Sequence, residues 1–120
     1  MKTKNHISTG IALSVAAACA LLTGCASKPQ PLYQWDAYQP QVYAQFTGKS
    51  TPTEQIDALE QARQKIAAKG NAVPPGFHAH LGALYASVGR SDDARTELSA
   101  EKQAFPESSA YMDFMLKNLK

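Results

Sequence analysis

The chain has 120 residues and a formal net charge of +2, a length that suits one small domain with a modest core. The whole charge excess is Lys2 and Lys4, so from residue 25 onward acidic and basic side chains balance. That balance excludes a broad electrostatic attraction to nucleic acid or to anionic lipid.

The start of the chain has the build of an export signal. Lys2 and Lys4 form a basic opening, residues 11–22 are apolar, and small residues follow. The apolar run is about a dozen residues, short of the roughly 20 needed to span a bilayer. Leu22-Thr23-Gly24-Cys25 resembles the lipobox of bacterial lipoproteins. The resemblance implies cleavage before Cys25, a diacylglycerol on its sulfur and an acyl group on its new amine. Residues 1–24 are thus read as a lipoprotein signal and 25–33 as lipidated cysteine and tether, with a helical domain over 34–120. Cys19 would be lost with the signal and Cys25 used by lipid, so no disulfide is expected. Ala26 follows the cysteine where aspartate would retain a lipoprotein at the inner membrane. The expected location is therefore the outer membrane, facing the periplasm.

Aromatic side chains crowd the next stretch. Tyr33, Trp35, Tyr38, Tyr43 and Phe46 are half of the chain's aromatics. On a helix, Trp35, Tyr38, Val42 and Phe46 would share one stripe. Pro40 places the helix start between Asp36 and Gln39, and Gly48 ends it. Two readings stay open for these five aromatics: core of a helical hairpin, or a partly exposed patch that binds a partner.

Thr51-Pro52-Thr53-Glu54 predicts a helix start with a capping box and proline in its first turn. Ile56, Leu59, Ala62 and Ile66 mark its buried face, and Gly70 its stop. Pro74-Pro75-Gly76 breaks the chain before a helix from Phe77 to Val88, stopped by Gly89. Ser91 is expected to cap the next helix, with Asp92 and Asp93 set against its dipole and Pro106 at its end. A last helix near residues 109–118 carries Tyr111, Phe114 and Met115. The predicted fold is all-α, with about five helices.

His78-Ala79-His80-Leu81-Gly82-Ala83-Leu84-Tyr85 resembles the first half of a tetratricopeptide repeat, and Ala94, Leu98 and Pro106 match the second half. Gly82 and Ala94 would let the paired helices approach, while Leu81, Tyr85 and Leu98 fill the seam. His78 and Glu101 depart from the pattern, standing where large apolar and small residues are usual. The expected architecture is tetratricopeptide-like hairpins closed by a C-terminal capping helix.

His78 and His80 invite a metal reading. Two residues apart on a helix, they point about 200° away from each other. The expected arrangement has His78 hydrogen-bonded at the seam and His80 in solvent, with no metal. Carboxylates look scattered rather than paired for acid–base work, and no serine has a base with an orienting partner. No catalytic residue and no cofactor beyond the lipid on Cys25 is expected.

Pro31-Leu32-Tyr33, Trp35, Tyr38, the run from Pro74 to Gly82, Glu101-Lys102 and Phe105-Pro106-Glu107-Ser108 resemble small proteobacterial lipoproteins classed as a domain of unknown function. Members are typically encoded beside a lipoprotein resembling the curli secretion channel. The resemblance implies a non-catalytic accessory or assembly role in an outer-membrane complex, with other envelope lipoproteins as partners and no nucleic acid. Two other expectations stand beside it. Lys120 at the end suggests a tether to peptidoglycan, as in the major murein lipoprotein, and the His78 region suggests a metal or small-ligand carrier.

Overall fold

The computed structural model describes residues 31–35 and 37–120, so Cys25 and the expected export signal lie outside the described residues. The described chain is all-α, as the helical periodicity predicts. Its elements are α1 (Tyr38–Thr47), α2 (Pro52–Ala68), α3 (Phe77–Ser87), α4 (Ser91–Ala104), a 3₁₀ turn (Pro106–Ser108) and α5 (Ser109–Asn118). Tyr33 already pairs with Ala72 in an isolated parallel β-bridge, and Gln34 N–H donates to the Ala72 carbonyl at 3.0 Å. The packed chain therefore includes Tyr33, which the sequence reading assigns to the tether.

Local chemistry sets the boundaries of α2. Thr51 Oγ1 accepts from Glu54 N–H at 3.3 Å, and Glu54 Oε2 accepts from Thr51 N–H at 2.8 Å, the reciprocal bonds of a capping box. At the other end Gly70 N–H reaches the Ala67 carbonyl and Asn71 N–H the Ile66 carbonyl, a Schellman closure. Between them Ile56, Leu59, Ala62 and Ile66 are buried, as their spacing predicts.

The hairpin of α3 and α4 is closely packed at Gly82. A Cβ on Gly82 would lie 2.9 Å from Leu98 Cγ and 3.3 Å from the Ala94 carbonyl oxygen. Only a residue without a side chain lets the two helices come this close. Leu81, Tyr85 and Leu98 fill the seam. Phe77 and Leu84 join them to the α2 face, while Met112 of α5 is buried in its turn.

Two expectations need correction. Ser91 does not cap α4: it is the first helical residue, and its hydroxyl donates instead to the Lys120 carbonyl. Asp92 and Asp93 do sit in the first turn of α4. The aromatic stripe also breaks up, because Trp35 precedes the helix and α1 buries none of its residues.

Gly76 is the strained joint before α3. Its φ is +88°, and a Cβ there would lie 2.7 Å from the Tyr38 hydroxyl. Gly89 also has a positive φ, of +79°, but nothing lies within 4 Å of its missing Cβ. Gly89→Ala should therefore lower stability by about 1 kcal/mol, the strain alone. Gly76→Ala should lower it by about 2–3 kcal/mol, because the clash adds to the strain. Urea unfolding checks this, as a larger fall in midpoint for Gly76→Ala at unchanged slope.

Candidate functional site

Among the described residues, two carboxylates lie inside the protein. Glu97 and Glu101 are four apart on α4, so they share its inner face, and only 6% and 2% of their surface is exposed. A buried charge is tolerated only when paired and hydrogen-bonded. Each carboxylate meets that requirement in a different way.

Glu97 is held by two side chains. Arg63 Nη1 donates to Oε1 at 2.7 Å, and His78 Nδ1 lies 2.6 Å from Oε2. Burial alone would raise the Glu97 carboxyl, but the His78 hydrogen bond and the Arg63 charge outweigh it and hold the group below the usual carboxylate range. Arg63 also bonds Glu60, whose other oxygen accepts from the Tyr85 hydroxyl at 2.7 Å. Burial, followed by that bond to Glu60, pushes the Tyr85 hydroxyl up to about 12. The Arg90 guanidinium covers the Tyr85 ring at 4.4 Å and is itself held by Asp93 at 2.7 Å. This network joins α2, α3 and α4 along one side.

Glu101 faces backbone instead. Its carboxylate accepts from Gly76 N–H at 2.7 Å and Ala79 N–H at 3.3 Å. The first turn of α3 has no capping side chain of its own, since Gly76 occupies that position. Glu101 supplies the missing acceptor from another helix, where the α3 dipole also favours a negative charge.

The five aromatics expected to act together divide into two groups. Tyr33 packs on Phe105 with ring centres 5.9 Å apart, Trp35 lies between Tyr33 and Tyr38 at 6.5 and 6.3 Å, and Tyr38 meets Phe77 at 5.8 Å. These three make a strap anchored at both ends on buried phenylalanines. Burial, and then the Glu101 charge, raise the Tyr38 hydroxyl above its ordinary value. Trp35 stays 41% exposed within the strap. Tyr43 and Phe46 stand apart from it on α1, 58% and 85% exposed, with Lys49 Nζ 5.0 Å above the Tyr43 ring. Tyr33 and Tyr38 are thus half-buried against the core, while Tyr43 and Phe46 stand exposed.

The two histidines are separated as their spacing predicts. His78 lines a cavity of about 430 Å³ beside Arg63, Tyr33 and Phe105. His80 lines another of about 380 Å³ with Tyr38, Glu101, Met112 and Met115. The expectation that His80 meets solvent is wrong. Its Nε2 is enclosed, with the Tyr38 ring edge-on at 6.0 Å, and burial pushes its pKa down. Among the described residues, no group of three His, Cys, Asp or Glu side chains is placed to hold a metal ion.

The carboxylates that the sequence reading leaves scattered are the best-placed polar groups of the molecule. A signal for them exists in the chain. Ala94, Glu97, Leu98 and Glu101 fall at helical spacing, so the stripe that buries Ala94 and Leu98 carries both glutamates inward.

The family described as a domain of unknown function, DUF4810, matches residues 32–115. The chain belongs to the DUF4810 family. No curated protein and no solved structure matches it. The DUF4810 match begins beside the aromatic strap and ends at Met115 in α5. It therefore takes in the strap, both buried carboxylates and both cavities.

Glu97 gives the DUF4810 domain a defined acid sensitivity. Its folded-state pKa is below the unfolded value, so the unfolded state binds more protons in this range. The Glu97 contribution is present above the carboxylate range and is lost as pH falls through it. Glu97→Gln should lower stability at neutral pH by about 2 kcal/mol and flatten the fall of melting temperature on acidification. Thermal melts of both proteins between neutral pH and pH of about 3 check this.

Proposed function

We propose that this DUF4810 protein is a lipid-anchored, non-catalytic adaptor that docks on another envelope protein at the periplasmic face of the outer membrane. The observation that carries the reading is the exposure of Phe46, Tyr43 and Trp35 in the first segment of the folded chain, close in sequence to Cys25. Large aromatic side chains kept in water mark an interaction surface, and tyrosine and tryptophan are favoured at interface centres. The inner carboxylates are meanwhile engaged in structural pairs. Glu97 serves His78 and Arg63, Glu101 serves two backbone amides, and Glu60 serves Tyr85 and Arg63.

The lipobox-like sequence before Cys25 supports the anchor. Each buried methylene contributes roughly 0.8 kcal/mol, so the several acyl chains of a lipoprotein cysteine hold a small domain on its membrane. Confinement raises the effective concentration of the domain for neighbours in the same membrane. The resemblance to lipoproteins encoded beside a curli-channel-like lipoprotein supports an accessory or assembly role in such a complex.

Phe46→Ser and Trp35→Ala test the surface. Phe46 touches little, so Phe46→Ser should change stability by no more than about 0.5 kcal/mol. In-cell crosslinking followed by affinity purification should recover a stoichiometric envelope protein with the native chain and lose it with the double variant. Recovery of the chain alone, or of the same neighbour with the folded double variant, would remove the adaptor reading.

A further inference from the structure

Beyond the initiator, the chain has two methionines, Met112 and Met115, and both line the cavity of about 380 Å³ beside His80. They are three apart on α5 and so share one face of that helix. His80 reaches the same space from α3. Its Nε2 is buried and has no hydrogen-bond partner, although a buried polar atom ordinarily has one. The Glu101 carboxylate also borders the cavity, with its oxygens turned to the amides of Gly76 and Ala79.

We propose that this cavity is a binding site for Cu(I), with His80 Nε2 and the thioether sulfurs of Met112 and Met115 as its donors. Thioethers are soft and uncharged, a donor type that selects Cu(I) and leaves Mg²⁺ and Ca²⁺ unbound. Imidazole completes the set as a borderline donor that copper accepts. The neutral imidazole is the form that can ligate. The neighbouring Glu101 carboxylate supplies negative potential that favours a cation over a neutral guest. Tyr38 narrows the approach to the imidazole, since its ring lies edge-on to that of His80. This assignment involves α3 and α5, does not rest on the adaptor reading, and replaces the His78–His80 pair with a different donor set.

The test uses the full chain carrying Cys19→Ser and Cys25→Ser, so that no thiol competes for the metal. Cu(I), kept reduced under anaerobic conditions, is titrated against a chromogenic Cu(I) chelator. One Cu(I) per chain should be withdrawn from the chelator, and X-ray absorption of the complex should show both sulfur and nitrogen neighbours. Met115→Leu and Met112→Leu conserve volume and should leave the melting temperature nearly unchanged. Each, and also His80→Phe, should weaken Cu(I) binding by on the order of tenfold or more. Zn²⁺ should not compete. Failure of the parent chain to hold Cu(I), or equal retention by a folded Met112→Leu/Met115→Leu variant, would overturn the proposal and leave the methionines as gap-filling core residues.

Discussion

The contact between the Glu101 carboxylate and the amides of Gly76 and Ala79 is the constraint on which the remaining structure depends. Pro74-Pro75-Gly76 delivers the chain into α3 with a left-handed glycine and without a capping side chain. Unsatisfied amides at a helix start are costly. A glutamate from α4 answers them, which ties the start of α3 to the end of α4. The Gly82 close approach fixes the same pair of helices in the middle of the hairpin. Together the two contacts set both the spacing and the register of the hairpin.

Other features follow from that geometry. Fixing Gly76 fixes where the Tyr38 hydroxyl can sit, because the two are in contact across the missing Cβ. Tyr38 in turn anchors the strap of Tyr33 and Trp35 and covers one edge of His80. Glu97, one turn before Glu101, organises the opposite side through His78, Arg63 and the Glu60–Tyr85 pair. One helix face thus carries a cap on one side and an ion-pair network on the other. The result is a domain whose inner charges are structural, leaving its exposed aromatics and the soft donors around His80 as chemistry not consumed by the fold.

How much of this is legible in the chain depends on range. Features written in consecutive residues are readable: the Thr51–Glu54 capping box, the Gly70 stop, the Pro-Pro-Gly break and the Leu81-Gly82 step of the hairpin. Features that depend on a distant partner are not. Ser91 looks like a cap, yet its hydroxyl is taken by the Lys120 carbonyl at the other end of the domain. Glu101 looks like a flaw in a repeat, because its partners lie 25 and 22 residues away across a loop. His80 looks exposed because the ring that covers it, Tyr38, lies about forty residues earlier in the chain. Phe46 fits a buried stripe by spacing alone, but only the start of that stripe, at Tyr38, packs on Phe77, and Phe46 stays exposed.

Hydrogen exchange in the full chain tests most directly whether the Glu101 cap holds the domain together. The Gly76 and Ala79 amides, which no helical carbonyl serves, should exchange as slowly as those in the middle of α3. In Glu101→Gln they should become faster by on the order of tenfold or more, along with the first turn of α3. Exchange of these two amides at the rate of an open loop in the native protein would contradict the account.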